Sequence, residues 1–220
     1  FMRSTNLGFA KDQVLCLSLG QTNEASLLSS FKSELLRRAD VESVSTTASV
    51  PGRLMLDTKK PVQTPSGEVV TTFKYFNTDH DYLDVLGIPL LAGRYFTPDE
   101  TRDSRVQVIN EAAVSLIGLA TPDEAIGTQI GGHEVIGVIP NYHHRSLHHQ
   151  VEPLLLRPLL DQRFYVAIKL SGTDIRQSIE GIRETWHRTL PDAAFDYFFL
   201  DDDFDLQYRF EDRLGTLSSV

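Results

Sequence analysis

One cysteine, one tryptophan and two methionines in 220 residues leave little soft or redox-active chemistry to this chain. Cys16 can form no internal disulfide, and it stands in the apolar run Val14-Leu15-Cys16-Leu17, where a small buried thiol is the expectation. Long apolar runs are missing too. Nowhere do about 18 apolar residues follow one another, so these residues hold no membrane-spanning helix and no leader peptide with a charged start and an apolar core. Cations are scarce: 21 Lys and Arg stand against 30 Asp and Glu, a formal net charge of −9, with no basic stripe to offset it. That excludes a nucleic-acid-binding surface, which needs clustered Lys and Arg. Neither a GxxxxGK[ST] loop nor a GxGxxG turn occurs, so any ATP used by the system is bound on another domain or chain. The G-x-S-x-G elbow is absent, and His133-Glu134-Val135-Ile136-Gly137 lacks the second histidine of HExxH.

What is present is an ordinary folding composition, 41% apolar and 23% charged, enough for one large domain or two small ones. The densest positional signals lie between Asp79 and Asn110. Thr78 or Asp79 is placed to cap a two-turn helix bearing Tyr82, Leu83 and Leu86, with Gly87 as its left-handed C-terminal cap. Ile88-Pro89-Leu90-Leu91 is a short apolar run and Ala92-Gly93-Arg94 a turn. Thr97-Pro98-Asp99-Glu100 reads as a capping box with proline at the first helical position. Residues 106–109 read as a strand, and Asn110 as the cap of a helix over 111–117 that stops at Gly118.

Toward the start, residues 14–19 form a strand. Leu28, Phe31 and Leu35 recur at helical spacing within 23–38, and 41–47 alternate as a second strand. The same order returns near the end. A strand over 164–170 is followed by a helix capped by Thr173 or Asp174 with Ile175, Ile179, Ile182 and Trp186 on one face, then by a strand over 195–200. Alternation there puts Phe195, Tyr197 and Phe199 on one side and Phe198 on the other, which fits core packing better than a ligand face. The fold class expected is therefore α+β: two terminal βαβ units pairing into a split βαβ sheet with helices on one face, residues 1–50 and 161–220. A small mixed α/β lobe, residues 51–160, is inserted between them. It should hold a hairpin over 61–64 and 68–76, a helical turn at Thr121-Pro122-Asp123-Glu124, and strands over 133–139 and 154–160. Asp201-Asp202-Asp203 reads as a solvated helix start, and 203–213 as an amphipathic helix with Phe204 and Tyr208 on one side.

The order D-Y-L-x-x-L-G-I-x-L-L-A-G-R-x-F and then V-x-V-I-N-E-A-A resembles the extracytoplasmic core domain of MacB-like and FtsX-like ABC transporter permeases. Asn6-Leu7-Gly8-Phe9 resembles that family's opening, just after its first membrane helix. Ala125-Ile126-Gly127, Val135-Ile136-Gly137-Val138-Ile139 and Ser146-Leu147-His148 with Pro153 resemble its middle. Phe204, Asp205, Tyr208, Arg209, Glu211, Arg213 and Leu214 resemble the segment leading into its second membrane helix. The resemblance implies a porter-like subdomain from the two ends, a sabre-like insertion, and excision of these residues from between two membrane helices. It also implies a place on the periplasmic side of a cell inner membrane and a non-enzymatic role, with no cofactor in this domain and ATP on a partner. The partners implied are an ABC ATP-binding subunit, a second copy or paralogous permease domain, and a periplasmic adaptor or outer-membrane factor.

Two rival readings belong to other classes. One is a metal-dependent hydrolase using the loop His143-His144-Arg145-Ser146-Leu147-His148-His149, where His144 and His148 share a helix face at a spacing that serves zinc. No third ligand can be named, and residues adjacent in sequence rarely make a catalytic triad, so no catalytic, cofactor-binding or metal residue is assigned. The other rival is a free-standing secreted binding module.

Overall fold

In the computed structural model, residues 8–10, 12–22, 24–53, 55–64, 67–99, 102–143, 150–159, 162–203 and 206 are described. The first elements are β1 (Val14–Ser18), α1 (Ala25–Leu35) and β2 (Val41–Thr47), followed by β3 (Leu56–Thr64), β4 (Gly67–Thr78), α2 (Tyr82–Leu86), β5 (Ala92–Gly93) and β6 (Val106–Asn110). Next come α3 (Glu111–Leu116), α4 (Pro122–Ala125), β7 (Gln129–Ile130), β8 (His133–Ile139) and β9 (Leu154–Pro158). The chain returns through β10 (Tyr165–Leu170), α5 (Ile175–Thr189) and β11 (Tyr197–Phe199). Among the described residues no helix is long and apolar enough to cross a membrane.

The strands from the two ends interleave in the order β11-β1-β10-β2, each neighbouring pair antiparallel. Period-two alternation then sends Leu15, Leu17, Val166 and Ile168 to one face and Val14, Cys16 and Ala167 to the other. On the first face lie α1 and α5, contributing Leu28, Phe31, Leu35, Ile182 and Trp186, with the Phe31 and Trp186 rings edge-on at 5.2 Å. The α5 helix forms where its signals agree. Its apolar residues repeat at helical spacing, and the Asp174 carboxylate caps it by accepting from the Gln177 N–H. The opposite face of the sheet is covered by α2, which lies against β2 and β10 and whose Tyr82, Leu83 and Leu86 share a core with Val14 and Cys16. Gly87 ends α2 at φ 60°, the left-handed conformation that only glycine adopts cheaply.

Between β2 and β10 the insertion is richer in strands than the mixed lobe expected. Pairings run β4-β3-β7-β8-β6-β9 and then from β9 back to β4, a closed ring of six strands with β5 added outside it on β8. Closure between β3 and β7 rests on the single pair Val62 with Ile130. Its core joins Val62, Phe73, Ile109, Ile130, Val135 and Leu155, and Ala113, Val114 and Ile117 of the α3 region pack against them. Asn110 and Thr121 cap α3 and α4 as their sequence positions predict. The ring meets the terminal sheet through one ladder pair, Thr47 with Thr78, and through the shared core beneath α2.

The Thr97 N–H, which a capping box would offer to Glu100, donates to the Asp103 carboxylate at 2.6 Å, and the Thr97 hydroxyl donates to it at 2.9 Å; Glu100 itself lies outside the described residues. Asp103 is fully buried and also accepts from Arg94 at 2.9 Å, so a buried anion takes the donor that the box needs. Ala92-Gly93, read as a turn, is a short strand, because Gly93 at φ 72° brings its Cα so near Ile136 that a Cβ would lie 2.1 Å from that carbonyl.

Candidate functional site

Two junctions hold the parts of this fold together. The first is Asp79, which the sequence places as a helix cap. Only 7% exposed, its carboxylate accepts from the Ser45 hydroxyl at 2.7 Å, the Thr46 N–H at 2.8 Å, Lys32 Nζ at 2.6 Å and the Asp81 N–H at 3.1 Å. One side chain thus joins α1, β2 and the entrance to α2. Lys32 also reaches Asp81 at 2.5 Å. Burial works to lower the Lys32 pKa, but Asp79 and Asp81 outweigh it and hold the ammonium above its ordinary value.

At the second junction the chain enters and leaves the terminal sheet. Because β1 and β11 are antiparallel neighbours, with Leu15 opposite Phe199, the start of β1 and the end of β11 lie side by side. Both flanking segments are fastened to the body. Before β1, the Ala10 N–H donates to the Leu86 carbonyl at 2.7 Å, and the Phe9 ring meets Tyr142 edge-on at 6.0 Å. A Cβ on Gly8, at φ 81°, would come within 2.7 Å of the Asn141 carbonyl, so backbone passes backbone closely there. After β11 the chain turns helical at Leu200, which is fully buried. Asp203 accepts from Arg53 at 2.6 Å, and the Arg53 guanidinium stands 4.3 Å over the Phe198 ring.

The residues weighed for chemistry are dispersed. His143 is half-buried; His144, Arg145, Ser146, Leu147, His148 and His149 lie outside the described residues, as does most of the helix expected over 203–213. Among the described residues no group of three or more His, Cys, Asp or Glu is placed to hold a metal. Burial pushes the Cys16 thiol far up, which makes it an unreactive packing group. At β11 and just before it the aromatics divide as alternation predicts: Phe195 and Phe199 pack against the helix-covered core with the exposed Tyr197 ring beside both, and Phe198 packs against the α2-covered one. Asp203, last of the acidic run, is engaged by Arg53; neither residue carries a local signal for the other, since 150 positions separate them.

The comparisons agree with this geometry. A family model described as the MacB-like periplasmic core domain matches residues 3–185. No match emerges among curated protein sequences. Among solved structures, the periplasmic region of MacB from Actinobacillus actinomycetemcomitans shares 14% identity over 99% of this chain and 98% of its own, with a TM-score of 0.60. The extracellular domain of the noncanonic ABC-type transporter YknZ from Gram-positive bacteria shares 15% identity over 83% and 97%, with a TM-score of 0.53. A domain of a putative permease from Porphyromonas gingivalis shares 16% identity over 87% and 92%, with a TM-score of 0.57. With the family model spanning most of its length, the chain belongs to the MacB-like periplasmic core domain family of ABC transporter permeases.

Proposed function

We propose that this domain is a non-enzymatic lever of an ABC permease subunit, carrying motion of two membrane helices outward. Closure of ATP-binding subunits inside the cell shifts those helices, and the domain follows as a rigid body, moving against its own copy or a paralogous neighbour. ATP enters only as the free-energy source that biases two arrangements. In this reading the four-stranded sheet β11-β1-β10-β2 is a split βαβ, porter-like subdomain of residues 1–50 and 161–220. The strand ring is the inserted sabre-like subdomain, residues 51–160. Its place is the periplasmic face of an inner membrane, with a periplasmic adaptor or outer-membrane factor as further partner.

The observation that carries the proposal is the side-by-side entry and exit of the chain at one end of the terminal sheet, both fastened to the body. Two adjacent membrane helices can hold a domain only if both connections leave in the same direction. A lever also needs stiff attachments, and backbone and charged contacts supply them here. The test is protease accessibility of the full-length protein in spheroplasts. Protease added outside should digest this domain while membrane-embedded flanks stay with the pellet after a carbonate wash. Release of the intact domain by the wash, or its protection until the membrane is broken, refutes the proposal.

A further inference from the structure

Cations are the minority charge of this chain, and Lys32, Arg38, Arg53, Lys74 and Arg94 each meet a carboxylate. Lys60, Arg105 and Arg157 meet none. These three are gathered at one end of the strand ring, about His133. Lys60 lies along the turn between β7 and β8, where a Cβ on Gly131 would come 2.5 Å from its Cδ. His133 closes the same turn, with Nδ1 3.2 Å from the Gly131 carbonyl. Arg105, just before β6, accepts at its carbonyl from the Glu134 N–H at 3.0 Å, so it runs beside His133. The buried Gln107 amide fixes the turn against β6 by donating to the Ile130 and His133 carbonyls, both at 3.0 Å. Arg157 follows on β9: Val108 pairs with Leu156, and the register continued by one step sets Arg157 beside Gln107.

Electrostatics agree with the geometry. Burial lowers the His133 pKa, and Arg157, Lys60 and Arg105 each lower it further. The carboxylate next in sequence, Glu134, is exposed, and strand alternation turns it to the other face from His133. Arg157 Nε and Nη2 are buried and donate to nothing, so its charge is offset by no carboxylate. Arg105 is exposed, and Lys60 and His133 are half-buried, so these three can be met from solvent. With Nδ1–H given to the Gly131 carbonyl, Nε2 is the His133 nitrogen left for a ligand. A carboxylate offers such a group two oxygens and one charge. A phosphate monoester offers three outer oxygens and nearly two charges at neutral pH, which suits three separate donors within an excess of positive charge.

We propose that this end of the strand ring binds a phosphate monoester, with Lys60, Arg105 and His133 Nε2 each donating to an oxygen of the ligand. Arg157 does not touch it; its unneutralised charge adds to the field from the other side of β6, where little water screens it. The ligand supplies the counter-charge that the chain withholds here and provides elsewhere. The inference does not rest on the lever reading, because binding by the domain in solution is independent of what the domain is attached to.

Nuclear magnetic resonance of the histidine ring protons tests it, His133 being identified by the signal lost in His133→Gln. At constant ionic strength glycerol 1-phosphate should saturate a single site and raise the His133 pKa by about one unit or more, while sodium chloride leaves it in place. Arg105→Gln and Lys60→Met should each weaken binding about tenfold, as loss of a charge-assisted hydrogen bond predicts, and Arg157→Met should weaken it less than either. Vesicles containing phosphatidic acid carry the same group on a lipid. Binding of glycerol 1-phosphate without sedimentation of the protein on the vesicles supports a soluble ligand, and sedimentation lost in Arg105→Gln supports a membrane one. A His133 pKa that glycerol 1-phosphate moves no more than chloride does, or an affinity that survives Arg105→Gln, overturns the proposal. Should Lys60→Met fail to fold, the exposed Arg105 decides alone.

Discussion

Replacing Asp79 with alanine removes the acceptor for four donors at once, and the geometry says which losses matter. Lys32 keeps Asp81 at 2.5 Å, so its charge is not stranded. The Thr46 N–H and the Ser45 hydroxyl, buried on β2 at 2.8 and 2.7 Å from the missing carboxylate, have no replacement acceptor among the described residues. Each stranded donor costs about 1–3 kcal/mol, so Asp79→Ala should destabilise by about 3–5 kcal/mol. That is a large share of a domain stability of about 5–15 kcal/mol. Lys32→Met, in turn, should cost less than Asp79→Ala, and the double variant should fall short of the sum by about 0.5–3 kcal/mol, the signature of contact. The assay is urea unfolding followed by far-ultraviolet circular dichroism and by Trp186 fluorescence, the single fully buried indole of the helix-covered core. Since the folded state holds Lys32 above its ordinary pKa, its contribution is fully present below the unfolded value. It is lost as pH rises through the folded one, so the gap between wild type and Lys32→Met should narrow above about pH 10.4. A loss under about 1 kcal/mol for Asp79→Ala would refute the idea that this carboxylate fastens α1, β2 and α2 together.

Asp103→Asn should cost about 1–3 kcal/mol at neutral pH, because the amide keeps one acceptor while Arg94 and the Thr97 donors lose an anion. Burial raises the Asp103 pKa, but those donors outweigh it and the net shift is downward. The stabilisation is therefore present above about pH 3.9 and should fade as pH falls through the lower folded value, closing the gap to the variant in acid. Gly93→Ala must relieve a 2.1 Å approach to the Ile136 carbonyl at a φ of 72°, and a loss of about 1–3 kcal/mol in the same urea assay is expected; a neutral result would mean β5 is not held on β8.

Legibility in the sequence follows the range of the forces. At α3, α4 and α5 a local cap and a local apolar face act together, and Asn110, Thr121 and Asp174 sit where residue type and position predict. The β11 aromatics were equally legible, since alternation alone assigns Phe198 and Phe199 to different cores. Thr97 misled because a buried carboxylate six residues on competes for its N–H, and sequence does not tell which aspartate will be buried. The ring closed through β7, whose two residues are too few for any periodicity and whose contact is Val62 with Ile130, far away along the chain. Asp79 looked like a cap because its partners Lys32, Ser45 and Thr46 lie 33 to 47 positions distant.

The central claim is that the domain moves as one body when the transporter works, and distances between spin labels in the full-length protein test it most directly. Ser33→Cys on α1 and Val70→Cys on β4 are exposed, whereas Cys16 is buried and stays unlabelled. With ATP bound and then hydrolysed in a membrane, the separation between Ser33 labels of neighbouring copies should shift while the Ser33 to Val70 separation within one copy holds. A neighbour separation that ignores nucleotide, or an internal separation that changes as much, would contradict the account.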